Sequence, residues 1–176
     1  SKNHKAAVYG IVEALRQRFE RPIVLVPHCE DYSDDDHALL EGVLKENASY
    51  WPDVICLPKL CPAAHIKWVI SKLHAFVGAR AHATIAAFSS YVPTVSLVYS
   101  FKGEGFNHRL FNCLDYVVKK EQCEPEVIVE KLRLVLDNHD EIRKKLQEKM
   151  IEVRKGAMRA GHLLKRIISD KGLLER

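Results

Sequence analysis

"AFVGARAHATIAAFSSYVPTVSLVYS", residues 75–100, is the stretch on which the fold turns. Its first four residues, AFVG (75–78), are an apolar run of strand length that ends on a glycine. Residues 81–90 are rich in alanine and other small side chains and read as a short helix. TVSLVYS (94–100) is again apolar and β-branched, a second strand. Two fully apolar strands joined through a helix by short links form a βαβ unit, with parallel strands buried on both faces.

The same alternation continues in both directions. Upstream, IVLVP (23–27) is a strand, HCEDYS (28–33) a loop, and a helix follows that Ser33 can cap with Asp36 three residues on. Leu39, Leu40, Val43 and Leu44 give that helix its apolar stripe. DVICLP (53–58) is the next strand, and Pro62 opens a helix with Ile66, Val69, Ile70 and Leu73 at helical spacing. Downstream, residues 103–112 read as a short helix and DYVVKK (115–120) as a fifth strand. Pro125 opens a helix with Ile128, Leu132 and Val135 on one face, and a long helix runs from Asp140 to Ile168. The first 22 residues read as an amphipathic helix. Strands alternating with helices predict an α/β domain over 1–176, a Rossmann-like doubly wound parallel sheet with flanking helices. The G-x-G-x-x-G fingerprint is absent, which argues against a standard dinucleotide site.

Composition narrows the classes of function. The chain has 176 residues, 47% hydrophobic and 28% charged, the balance of one globular core. Its longest apolar runs are strand-length, short of the roughly 20 residues of a spanning helix. Five cysteines (29, 56, 61, 113 and 123) form no CxxC pair, so reduced thiols in a cytoplasmic protein are expected, and no metal site. Of the net charge of +4, residues 141–176 carry 11 Lys and Arg against 5 Asp and Glu, a local +6. That basic helix could contact an anionic membrane surface on the cytoplasmic side, although Glu141, Glu148 and Glu152 interleave its cations as on a solvated face. No motif points to nucleic acid.

Ligands of open parallel sheets bind beyond the carboxyl ends of the strands. That rule selects His28, Cys29, Glu30 and Asp31 after the first strand and Lys59 and Leu60 after the second. After the third it selects Gly78, Arg80 and His82, and after the fourth Tyr99, Ser100, Lys102 and Gly103. Gly78 permits a close backbone approach, Arg80 offers a fork suited to phosphate or carboxylate, and His82 a proton donor near neutral pH. The N-terminus of the helix at Ala81 points its amides at the same place. Arg80 as a surface cation and His82 as an internally bonded histidine remain equally open readings. YSFKGEGF (99–106) reads as a loop whose two glycines expose amides to an anion. Asp34, Asp35 and Asp36 favour a helix N-terminus, and His28 is the residue of its segment expected to face the crevice.

In order, these segments resemble the C-terminal domain of the polysaccharide pyruvyl transferase family. The resemblance rests on VPH, on IKWVISKLHAFVGARAHATIAAFSSYVPTVSLVYSFKGEGF and on DYVV, spanning about residues 22 to 118. G-x-R-x-H, then V-P, then Y-S-x-K is its specific combination; Tyr91 stands where members usually carry glycine before V-P. The resemblance implies the second half of a two-domain GT-B architecture, with an N-terminal domain as partner. It also implies transfer of the enolpyruvyl unit of phosphoenolpyruvate to a sugar or lipid-linked saccharide, as a pyruvate ketal, with no further cofactor. On that basis Arg80 and the helix N-terminus would hold phosphate, Lys102 the carboxylate, and His82 would donate a proton. His28 would serve the acceptor side, and Gly78, Tyr99 and Ser100 would line the donor site. Two other readings stay open. One is a GT-B glycosyltransferase or epimerase half using a nucleotide-sugar, with Glu104 against the ribose. The other is a non-catalytic binding module.

Overall fold

The computed structural model describes residues 2–31 and 34–170, apart from the side chains of Lys2, Glu30, Asp31, Asp34 and Lys102. Ser33, the expected helix cap, lies outside the described residues. Helix α1 (Lys2–Phe19) leads into strand β1 (Ile23–Leu25). Two-residue strands β2 (Glu30–Asp31), inside the expected loop, and β3 (Asp34–Asp35), where the helix was expected to have begun, pair antiparallel. Asp35 then caps α2 (Asp36–Asn47) by accepting from the amide of Ala38. After β4 (Val54–Cys56), helix α3 (Ala63–Ile70) stops three residues short of Leu73.

Residues 75–100 fold as expected in outline. Strand β5 (Phe76–Gly78), helix α4 (Ala81–Ser89) and strand β6 (Thr94–Val98) form a parallel βαβ unit. Helix α5 (Phe101–Phe111) begins two residues earlier than expected and absorbs the supposed glycine-rich loop. The reason is steric: a Cβ on Gly103 would sit 2.6 Å from Val98 Cγ1, so only glycine lets this turn lie against the end of β6. Asn112, in left-handed backbone with φ 60°, ends α5. Strand β7 (Val117–Lys119), a turn of 3-10 helix, α6 (Pro125–Asp137) and α7 (His139–Asp170) complete the chain.

All the longer strand pairs are parallel, yet they do not form one sheet. β1 pairs with β4, with Val24 opposite Ile55, and β5, β6 and β7 form a separate sheet in that order. Where a continuous sheet would join β1 to β5, there is instead a cavity of about 420 Å³. The inner edges of both strands wall it, and Val8, Ile11 and Leu15 of α1 and Leu132 and Leu136 of α6 close it. The buried core divides accordingly. Val12, Leu25, Val43, Trp51 and Val54 surround the smaller sheet. Phe88, Val95, Phe111, Val118, Ile128 and Leu146 fill the larger, and Ile66, Ile70, Phe76, Ala83 and Ala87 join α3 to α4. α1 packs between α2 and α6, while α4 and α5 pack on α7.

Candidate functional site at the strand ends

The chemistry-bearing side chains collect at the carboxyl ends of β1 and β5, around a carboxylate. Asp36, the first residue of α2, takes Arg80 Nη2 on Oδ1 at 2.6 Å and Arg80 Nε on Oδ2 at 3.2 Å. The same Oδ2 accepts the backbone amides of His28 at 3.2 Å and Cys29 at 3.0 Å. In return the Asp36 amide donates to the Cys29 carbonyl at 2.8 Å. Three chain segments are thereby tied at one point: the exit of β1, the start of α2 and the turn before α4. Asp35 adds a fourth, holding Lys59 beyond β4 at 2.8 Å. The aspartate run thus does more than favour a helix start, and Arg80 is held in a carboxylate fork and does not stand alone as an anion receptor.

His28 and His82 face one another beside this pair, their rings stacked with centroids 6.3 Å apart. His28 Nδ1 is buried with no hydrogen-bond partner among the described residues. Burial holds His28 below the ordinary histidine value; His82 and Arg80 push the same way, and Asp36 opposes them. His82 lies exposed in the first turn of α4. No side chain caps that helix, so its first amides face the same space.

The residues that follow β6 occupy a neighbouring hollow of about 220 Å³. Tyr99, Ser100 and Gly103 line it with buried Thr84, Ser96 and Asn107. Asn107 donates to the Gly103 carbonyl at 3.2 Å, and the Ser96 hydroxyl meets its Oδ1 at 3.4 Å. The N-termini of α4 and α5 flank this hollow, and Ser100 does not cap α5 with its side chain. Ala79 lines both spaces, which places the two hollows side by side. Lys102 belongs to the first turn of α5, and its side chain lies outside the described residues.

Of the expected site residues, then, His28, Arg80 and His82 come together, and Tyr99 and Ser100 lie in the adjoining hollow. Gly78 has a packing role: a Cβ there would meet Thr84 Oγ1 at 2.6 Å and Phe76 Cε1 at 2.7 Å. Thr84 in turn bonds the Arg80 carbonyl at 3.1 Å, so the glycine fixes where Arg80 leaves the strand. The sequence reading missed Asp36 and Asn107 as site residues. An acidic residue opening the helix after β1 faces the same crevice as Arg80, and that placement was the available signal for Asp36.

No family model, curated protein or solved structure matches the chain. Among the described residues no group of three or more His, Cys, Asp or Glu is placed to hold a metal ion, and no helix is long and apolar enough to cross a membrane.

Proposed function

We propose that the chain is the donor-binding part of an enzyme that transfers the enolpyruvyl unit of phosphoenolpyruvate to a sugar of a polysaccharide or its precursor. The observation that carries the reading is the convergence of His28, His82 and the Arg80–Asp36 pair beyond two parallel strands, beside the uncapped start of α4. The resemblance of residues 22–118 to polysaccharide pyruvyl transferases supports it from the sequence side. So does the backbone at Tyr91, left-handed at φ 62°, the conformation for which glycine is suited at that position. The larger architecture that accompanies this reading is a doubly wound domain forming one wall of a GT-B-like cleft. An N-terminal domain and the saccharide acceptor complete that cleft, and the basic end of α7 is the part of this reading that would meet an anionic membrane surface.

The chemistry asks for three things. Phosphoenolpyruvate carries a phosphate and a carboxylate, which need fixed cations and amide donors. Its methylene carbon takes a proton, leaving an oxocarbenium-like centre at C2. Two sugar hydroxyls then bond to C2 and lose their protons, while the C2–O bond to phosphate breaks and phosphate leaves. His82, exposed and opposite the half-buried imidazole of His28, is the proton donor or leaving-group acid, and such catalysis typically contributes about 10²–10⁴-fold. The phosphate is assigned to Arg80 and the α4 amides, with Asp36 orienting the guanidinium. Tyr99, Ser100 and Lys102 serve the neighbouring hollow, and His28 the acceptor side. A nucleotide-sugar reading is less favoured because Glu104, its ribose partner, is bound to Lys119 at 3.1 Å.

A thermal-shift titration with phosphoenolpyruvate, inorganic phosphate and UDP tests the assignment. Ligand at ten times its Kd adds about 1.4 kcal/mol, roughly 3–5 °C in Tm for a chain of this size. The expected result is a larger shift with phosphoenolpyruvate than with phosphate, lost in Arg80→Ala. A shift with UDP alone would transfer the reading to nucleotide-sugars. No shift with any of the three would remove the donor site from this chain.

A further inference from the structure

The cavity between β1 and β5 has walls unlike those of an ordinary apolar pocket: two of them are strand edges. In β1, Ile23 takes the carbonyl of Asp53 and Leu25 gives its carbonyl to Leu57, so both residues spend their backbone groups on β4. Val24, between them, turns its N–H and C=O the other way, into the gap. In β5, Phe76 bonds the Pro93 carbonyl and, with Gly78, faces β6, which turns the backbone of Val77 into the same gap from the opposite side. Among the described residues neither strand has a second hydrogen-bonded neighbour. Backbone groups of Val24 and Val77, turned toward one another across a largely apolar space, are costly to leave unpaired.

The helix above the gap narrows what fills it. α1 packs between α2 and α6, lines the cavity with Val8, Ile11 and Leu15, and runs directly into β1. A helix that covers a parallel sheet and feeds one strand is the crossover of a βαβ unit, whose first strand lies beside the second. The gap beside β1 is where that first strand would be.

We propose that the gap is the seat of a sixth parallel strand, an extended apolar segment leading directly into α1. It would pair on one side with Val24 and on the other with Val77, giving one sheet in the order β4, β1, the new strand, β5, β6, β7. The carboxyl end of the gap is lined by His28, Asp36 and Arg80, so the last residues of that strand would emerge between them and form part of the candidate site. This inference rests on the two strand edges and on the packing of α1, and is independent of the reaction proposed above.

Amide hydrogen exchange tests it, comparing residues 1–176 with the same chain carrying the residues its gene encodes upstream of Ser1. The expected result is that exchange at Val24 and Val77 slows by about a hundredfold or more in the longer chain, as for amides inside a sheet. Proline placed in the middle of the added segment should abolish that protection while leaving Val95, in β6, unchanged. If the longer chain does not fold, the added segment is supplied as a synthetic peptide to residues 1–176 and the same two amides are read. Unchanged exchange at Val24 and Val77 in both formats overturns the proposal. So does protection that appears without the segment and rises with protein concentration, which would assign the gap to a second copy of the chain.

Discussion

At the scale of single residues, the sharpest predictions come from two side chains held in unfavourable circumstances. His28 is neutral-favouring in the folded chain because burial, His82 and Arg80 lower its pKa. A lowered folded value means that the unfolded chain binds the proton more readily, so stability is complete above the unfolded value of about 6.5 and is lost as pH falls through the folded value. His28→Gln should therefore flatten the loss of Tm between pH 7.5 and pH 5.5, measured by thermal denaturation at both. An unchanged slope would show that the imidazole protonates without cost. His74, also lowered by burial and stacked on His139, supplies a residual slope in the variant. Tyr91 is the second case: it keeps left-handed backbone, and its ring packs on the core with Arg154 above it at 5.9 Å. Tyr91→Ala and Tyr91→Gly both lose the ring, but glycine also relieves a strain of about 1 kcal/mol. The glycine variant should melt about 2–4 °C above the alanine variant. Equal melting temperatures would mean that the turn carries no strain.

At the scale of elements, glycines in one short helix separate packing from propensity. Gly103 and Gly105 both lie in α5, yet a Cβ at Gly103 would strike Val98 at 2.6 Å while one at Gly105 meets nothing within 4 Å. Gly103→Ala should force α5 away from β6 and cost about 1–3 kcal/mol. Gly105→Ala should be neutral or stabilise by up to about 1 kcal/mol. Chemical denaturation of the two variants measures both, and a matched pair of effects would refute the packing account. The same glycines explain why YSFKGEGF is legible only as a loop. Propensity disfavours two glycines in a helix, and the contact with Val98 that requires one of them is made across the fold. Elements with long periodic stripes, such as α6 and α7, were legible to within a few residues, because their apolar faces are fixed by local spacing. The cap of α2 was displaced from Ser33 to Asp35 among four neighbouring polar residues of nearly equal merit. Site residues reached by the strand-end rule were legible for the same reason as the strands. Asp36 was legible only by its place at the head of the helix after β1, since its partner Arg80 stands 44 positions later.

At the scale of the whole molecule, sequence periodicity identified five parallel strands but could not say which edges meet. A run such as IVLVP is equally apolar whether its neighbour is β4, β5 or an inserted strand. The break between β1 and β5 is thus a property of assembly, and it leaves the core in separate clusters on either side of the gap. α7 shows the same limit in another form. Its apolar stripe runs its whole length, yet the buried residues Ile142, Leu146 and Met150 all lie in its first half. Beyond them Met158 is 64% exposed and Leu164 58%, so the second half of the helix adds little to the core. Leu146→Ala should cost about 2–5 kcal/mol, a Tm loss of roughly 4–20 °C. Ending the chain after Arg154, which keeps the contact with Tyr91, should instead lower Tm by less than about 4 °C while removing helical signal from the circular dichroism spectrum. A large loss of stability on truncation would show that the distal stripe packs against this domain in solution. Retained stability would mean that the stripe and its basic flank, with Lys155, Arg159 and Arg166, are available to a surface outside the core.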